Sequence, residues 1–276
     1  MNYYYSDFIR KNQYYSYMNR SYSDSATVIS LKPLGENNQS VTLLTKSKGI
    51  VYATLYGGPK SRLRSLVSQW HSGTIFLYDN PEKNQIKISD FDVKNYHVSF
   101  GENLFKNYAA SLACELAIKT RCAGSPENCW HLINGFLDGL ELANEDQGHV
   151  GLIRFLWRFL AILGLQPEVH CCGHCGKSFL EPLLTPDSKT YYNIMENSFI
   201  CADCFSQGNA GQNFVFSLEL SALRYLTGIT VLEPAEARKL KIDRQEYNQL
   251  KELVFFLIEN AAGTKLNTIE IGVGIL

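Results

Sequence analysis

Ile50-Val51-Tyr52-Ala53-Thr54-Leu55-Tyr56, running into Gly57-Gly58-Pro59-Lys60-Ser61-Arg62-Leu63-Arg64, is the stretch on which the fold turns. Val51, Ala53 and Leu55 alternate with Tyr52, Thr54 and Tyr56. That period of two is expected of a strand with one face in a core and the other in water. Two glycines and a proline then break the strand, and a run of cations follows. Working outward, Ala26–Leu31 and Ser40–Thr45 are short β-branched runs before it. Gly73–Tyr78 and Gln85–Ser89 come after it, separated by the turn Asp79-Asn80-Pro81. Five short strands at roughly ten-residue spacing predict a small closed barrel of OB type over residues 25–98.

Beyond Gly101 the period lengthens. Phe105, Tyr108, Ala109, Leu112, Leu116 and Ala117 recur at helical spacing. Ser125-Pro126-Glu127 is a helix start, with a cap, a proline at the first helical position and an acid in the first turn. Val150–Leu165 reads as a third helix closed by Gly164 and Pro167, and Ser217–Thr227 as a fourth. Asp243-x-x-Glu246 reads as a capping box opening a last helix that stops near Gly263. The fold class is therefore α+β and multi-domain. The N-terminal barrel leads into a helical domain over residues 99–276, with a cysteine-rich insert at 168–212. Residues 1–24 hold seven tyrosines and few aliphatic side chains, so they are expected to form a disordered tail. Translation starting at Met18 would fit that tail.

The insert carries Cys172-Gly-His-Cys175 and Cys201-Ala-Asp-Cys204. Two Cys-x-x-Cys turns can aim four thiolates at one zinc ion, each at roughly 2.3 Å. Leu180, Leu183, Tyr191, Tyr192 and Phe199 give the intervening segment enough apolar surface for a small hairpin, and metal binding supplies the rest of its stability. Two disulfides would need an oxidising compartment, and nothing at the N-terminus resembles a signal peptide. A redox pair would use one motif and waste the other. A deaminase site needs a Glu two residues after a ligand and a Pro before the second pair; Ile200 precedes Cys201 and Cys171 precedes Cys172. Four thiolates leave no open coordination position, so the metal is expected to be structural. Cys171, His170 and His174 are read as bystanders, and Cys114, Cys122 and Cys129 as helical core residues.

Charge is uneven. The chain carries a net −1, yet residues 37–78 hold Lys46, Lys48, Lys60, Arg62 and Arg64 and no acid. Alternating cations with Tyr52, Tyr56 and Trp70 nearby suit phosphate contact and base stacking. The same pattern also fits a solvated turn over core aromatics. No phosphate-cradling loop, Gly-x-Ser-x-Gly elbow or His-Glu-x-x-His helix is present, and His71, His97, His131 and His149 stand without carboxylates at useful spacing. A non-enzymatic protein is expected. The longest apolar stretch, Val150–Leu165, is too short to span a bilayer and carries two arginines, so no membrane role and a cytoplasmic location follow as the default.

Taken together the residues resemble the bacterial RecO family of recombination mediators. The resemblance runs from about Ser21 through the last helix. It is carried by Leu34-Gly35-Glu36-Asn37, Leu43-Leu44-Thr45, Gly49, Lys60-Ser61-Arg62-Leu63 and Phe159-Leu160-Ala161-Ile162-Leu163-Gly164-Leu165-Gln166-Pro167, leading into Cys172–Gly176. It implies an OB-fold and a helical domain with a zinc module. It also implies a role in DNA repair and recombination along the RecF pathway: binding single- and double-stranded DNA, annealing complementary strands and helping to load RecA. Implied partners are RecR, RecF and the acidic C-terminal tail of single-strand-binding protein, in a nucleoid-associated setting. The chain departs from the family in having Leu55, Tyr56, Gly58 and Pro59 where further basic residues are common, and in residues 1–17, which have no counterpart. The alternative is a zinc-stabilised scaffold that binds protein and no DNA.

Overall fold

A computed structural model describes residues 20–181, 185, 188–207 and 214–276. Five strands come first: β1 (Ser21–Leu34), β2 (Asn38–Thr45), β3 (Gly49–Leu55), β4 (Ser72–Asn80) and β5 (Gln85–Asn95). They close into a barrel in the order β1-β2-β3-β5-β4, with β1 also paired to β4. This is the strand order of an OB barrel. The alternation of β3 is realised in part: Val51, Ala53 and Leu55 are buried and Tyr52 faces solvent, but Thr54, read on the solvent face, is buried as well. They join Ala26, Val28, Val41, Leu43, Ile75, Leu77, Ile88 and Phe91 in one core.

β1 and β5 are longer than the sequence runs suggested, because each pairs on two sides. The first half of β1 runs against β4, with Ser21 opposite Tyr78. The second half runs against β2, with a register shift between Val28 and Ser30 that lets the strand bend from one neighbour to the other. Ser21–Asp24, assigned above to a disordered tail, are thus strand residues: hydrogen bonding to β4 orders a segment whose own side chains could not. Arg20, just before β1, pairs with Glu82 at 3.0 Å, and the rest of that expected tail, Met18 included, lies outside the described residues.

Between β3 and β4, α1 (Arg62–Leu66) forms one short turn. After the barrel come α2 (Leu104–Thr120), α3 (Pro126–Leu142) and α4 (Glu145–Ile162). Ser125 Oγ accepts from Asn128 N, as the start signal predicted. α4 begins five residues before the expected Val150, because Asn144 and Gln147 make a reciprocal capping box that apolar periodicity does not reveal. Strands β6 (Lys189–Asn193), β7 (Ser198–Cys201) and β8 (Phe214–Glu219) form a three-stranded sheet in the order β7-β6-β8. α5 (Ala202–Ser206) lies between β7 and β8. Then follow α6 (Leu220–Val231), α7 (Pro234–Ala237), α8 (Arg244–Ala262) and α9 (Asn267–Ile271). Asp243 and Glu246 make the predicted capping box, and Gly263 closes α8 at φ +66°, a left-handed conformation that favours glycine.

The chain divides into two compact units after Leu142. α2 and α3 belong with the barrel. Thr27 Oγ1 on β1 donates to Asn134 Oδ1 on α3 at 2.7 Å, both residues buried, and a β-carbon at Gly49 would stand 3.3 Å from Pro126. In the second unit Trp157 is fully buried and its Nε1 donates to Thr230 Oγ1 at 2.9 Å. Cys114 and Cys129 are buried on helices; Cys122, also buried, sits in the turn after α2 at φ +50°. Among the described residues no helix is long and apolar enough to cross a membrane.

Candidate metal centre and nucleic-acid interface

The sulfurs of Cys172, Cys175, Cys201 and Cys204 all lie within 4.8 Å of one another. The first pair sits on a loop closed by Gly176 N donating to Cys172 O at 2.9 Å, with Gly176 at φ +73°. The second pair spans the end of β7 and the first turn of α5. The two knuckles are stitched together by Gly173 N to Phe199 O at 2.8 Å. Gly173 is required by that approach, since a β-carbon there would fall 2.6 Å from Ser198 Oγ. The Cys175 and Cys201 sulfurs are 3.8 Å apart. A tetrahedron with metal–sulfur bonds of roughly 2.3 Å has edges of about 3.8 Å, so the spacing fits a zinc-sized ion.

The electrostatics agree with that fit. Burial pushes the Cys201 and Cys204 thiols upward. Burial also acts on Cys172, but is outweighed there by backbone N–H groups of Cys175, Cys201 and His174, which bring it down to about 7. Cys201 N donates to Cys172 Sγ at 3.3 Å. Three of the thiols are buried and Cys175 is exposed, and their crowding would be relieved by a bound cation, each thiol releasing its proton to solvent as it coordinates. Cys171, His170 and His174 stand outside the four-sulfur group, and His170 turns towards Glu168 at 4.0 Å.

The hairpin β6–β7 buries Tyr192 and Phe199 as read, whereas Leu180 is exposed, and Leu183 lies outside the described residues. Tyr191 stacks on Phe205 with ring centroids 3.8 Å apart. The module is held to α6 by Arg224, whose Nε and Nη2 donate to Phe179 O at 3.1 Å and Glu181 O at 3.0 Å, and by Thr227 Oγ1 donating to Val169 O.

The five basic residues singled out in the sequence fall into two groups at opposite ends of β3, ~20 Å apart along the strand. Lys46 and Lys48 occupy the β2–β3 turn. Lys46 pairs with Glu127 of α3 at 3.2 Å and sits 6.0 Å from the Trp130 ring; Lys48 lies 3.6 Å above the Tyr22 ring. Lys60, Arg62 and Arg64 are at the other end. Lys60 and Arg62 are exposed and, among the described residues, make no ion pair. Arg64 is half-buried, and its Nη1 donates to Gly57 O at 3.4 Å. The loop at Gly58 meets the β1–β2 turn, where a β-carbon on Gly58 would be 3.6 Å from Asn37 Oδ1.

The strand order adds cations that sequence reasoning did not name. β5 runs beside β3, Thr54 opposite Lys87, and Lys87 Nζ sits 5.1 Å from the Tyr56 ring. Lys32, near the end of β1 and opposite Ser40 of β2, is exposed at the same end, whereas Lys83 is exposed in the β4–β5 turn next to Glu82, which pairs with Arg20 at the start of β1. Tyr52 is 60% exposed and Tyr56 42%. Trp70, offered above as a stacking face, instead sets its ring edge-on against Phe100.

The family described as Recombination protein O C terminal matches residues 101–268, more than half of the chain. The chain is 23% identical over 238 residues to the DNA repair protein RecO of Bacillus pumilus strain SAFR-032, covering 85% of this chain and 86% of that protein. It is 21% identical over 245 residues to RecO of Bacillus subtilis strain 168, with 87% and 89% covered. To RecO of Acaryochloris marina strain MBIC 11017 it is 29% identical over 160 residues, 56% and 53% of the two chains. With a closed OB barrel in front and two cysteine knuckles converging inside the matched region, the chain belongs to the RecO family of DNA repair proteins.

Proposed function

We propose that the protein is a non-enzymatic recombination mediator. It binds single- and double-stranded DNA on its barrel, anneals complementary strands and, with RecR and RecF, helps load RecA onto DNA coated with single-strand-binding protein. The observation that carries this reading is the end of the barrel at Lys60 and Arg62. Two exposed cations, without carboxylate partners among the described residues, stand at the edge of a face that shows Tyr52 and Tyr56, with Lys87 at the second ring. Cations track phosphates and tyrosine faces accept unstacked bases, which is the physics of sequence-tolerant single-strand binding. Neutralising two strands on one protein lowers the repulsion between them and favours annealing. A zinc ion in the four-thiolate group is structural in this scheme: it pins the knuckles to α6 through the Arg224 contacts and meets no substrate.

Binding of a labelled single-stranded oligonucleotide tests the reading. Log affinity is expected to fall linearly with log salt, by about 0.7 for each phosphate neutralised. Absence of binding at low salt, with partner proteins still captured, would favour the scaffold alternative.

The acidic tail of single-strand-binding protein has a matching surface in the second unit. Arg154 and Arg158 lie one turn apart on α4. Arg154 donates to Tyr225 OH at 3.5 Å, and Arg158 Nη2 to the carbonyls of Ile229 and Leu232 at 3.4 and 3.2 Å. Burial, then Arg154, then Arg238 disfavour the charge on Arg158, and among the described residues none of the three arginines has a carboxylate in ion-pair range. Val231 and Leu232 are exposed beside them. Cations without a carboxylate in ion-pair range among the described residues, although Glu233 acts on Arg158 from further off, next to apolar side chains suit a peptide that is both acidic and hydrophobic. Arg154→Ala/Arg158→Ala is expected to weaken tail-peptide binding by at least about 10- to 100-fold, the loss of a single charged hydrogen bond of roughly 1.5–3 kcal/mol. Oligonucleotide affinity should stay within about twofold of wild type. Calorimetry with the peptide and anisotropy with DNA read the two effects separately.

A further inference from the structure

We infer that His97 is a positioning residue for the cationic crossover. It pins Trp70, near the end of the segment that carries Lys60 and Arg62, to Asp138 on α3, and so fixes the register in which those cations meet phosphates. The inference rests on the DNA-binding reading above and adds to it how the binding loop is held.

The crossover leaves β3 after Leu55 and re-enters the barrel at Ser72 of β4. Its middle is anchored by Val67, which is buried in the barrel core. Its far end is anchored at Trp70, whose N donates to Val28 O at 2.7 Å, while the His71 Nδ1 lies 2.7 Å from Leu66 O at the end of α1. Trp70 has φ +67°. A bulky aromatic residue persists in the left-handed region only where its surroundings fix it from several sides. Here the indole edge meets Phe100 at 5.6 Å, the amide is held by β1, and the carbonyl is held by His97 Nδ1 at 2.8 Å.

His97 is itself left-handed, at φ +48°, and stacks on Phe100 with centroids 5.1 Å apart and planes 12° from parallel. Its Nε2 lies 2.8 Å from Asp138 Oδ1, which also accepts from Asn95 Nδ2 at 2.9 Å. One imidazole therefore spans from the crossover to a helix packed on the barrel. A second tie stiffens the linker that carries it. Ser99 N and Oγ donate to Glu141 at 3.2 and 2.7 Å, and the buried Lys106 Nζ donates to Ser99 Oγ at 3.2 Å and Glu141 O at 2.8 Å. Asp138 and Glu141 are one turn apart on α3, so two carboxylates of one helix hold the linker. The His97 side chain is 1% exposed and cannot itself touch a strand. Any effect it has on DNA binding must pass through the crossover.

The test uses His97→Asn in the full-length, metal-loaded protein. Asn tolerates the left-handed backbone but is too short to reach both Trp70 O and Asp138. Single-strand affinity is expected to fall about 10-fold at low salt, and the salt slope to lose about 0.7, the contribution of one phosphate contact, although no cation has been removed. In a Lys60→Ala/Arg62→Ala background the same change should add less than about twofold, because coupled residues are not additive. Exchange of the Trp70 amide should speed up while that of Leu43 in the barrel stays unchanged. An unaltered slope in a folded variant, or a loss that adds fully to that of the cation pair, overturns the inference. If His97→Asn fails to fold, Asp138→Ala breaks the same pin from its exposed end and is read by the same criteria. Wild-type protein that binds no DNA would remove both this inference and the reading beneath it; wild-type binding with an unchanged variant slope removes only this one.

Discussion

Cys201→Ser is expected to strip the metal from the purified protein, taking the stoichiometry from about one ion per chain to near zero, and to open the β6–β7 hairpin while the barrel stays folded. The apolar core of the insert rests on little more than Tyr192, Phe199, Ile200 and Phe179. Structural zinc in small peptides contributes about 10–16 kcal/mol, far more than such a core supplies. Losing one of four ligands leaves three thiols crowded within 4.8 Å and no ion to hold them. Limited proteolysis reads the outcome, with new chymotryptic cleavage at Tyr191 or Tyr192 in the variant and in wild-type protein treated with a chelator. An intact hairpin without metal would show that the knuckles stand unaided. The pH dependence has a fixed sign. The metal-bound cysteines are deprotonated, and burial raises the metal-free thiols of Cys201 and Cys204, so protons compete more strongly as pH falls. Metal is therefore expected to be retained at neutral pH and lost on acidification, as metal analysis across pH would read.

Lys60→Ala/Arg62→Ala is expected to reduce the salt slope of single-strand binding by about 1.4 and affinity by about 10- to 100-fold near 0.1 M salt, since two phosphate contacts release that many fewer counterions. Lys46→Ala/Lys48→Ala should change the slope by less than about 0.5, because each of those cations, although reachable from solvent, already has a partner within the barrel unit. Lys46 answers Glu127, and Lys48 lies against Tyr22. Arg64 is left out of the first variant because its guanidinium braces the loop at Gly57 O, and its loss would mix a fold effect with a charge effect. Equal slopes for both pairs would remove the geometric distinction between the two ends of β3. Anisotropy titrations at four or five salt concentrations are sufficient.

The four cysteines were legible because their chemistry is local in sequence: each knuckle is a two-residue gap, and only the meeting of the knuckles needs the fold. The barrel was legible for a similar reason. Alternation in Ile50–Tyr56 and the turn residues around it encode strand and break directly, and the order barrel, helices, four-cysteine insert follows the chain. The capping box at Asp243 and Glu246 is another local signal that the structure realises.

What local patterns could not carry was everything that depends on which strand lies beside which. β5 pairs parallel with β3, so Lys87 arrives at Tyr56 from 31 residues away, and Lys32 joins the same end. The run of cations from Lys46 to Arg64 reads as one patch in sequence, but a seven-residue strand separates its halves and turns one of them onto α3. β1 begins at Ser21 because β4 supplies its hydrogen bonds, not because Ser21–Asp24 favour a strand. Composition and spacing by themselves determined the β-then-α order and the four-cysteine group, since both are written in residues close along the chain. Only the tertiary structure decided which charges face solvent together and which histidine holds the crossover, since burial and partnership belong to residues the fold brings together from a distance.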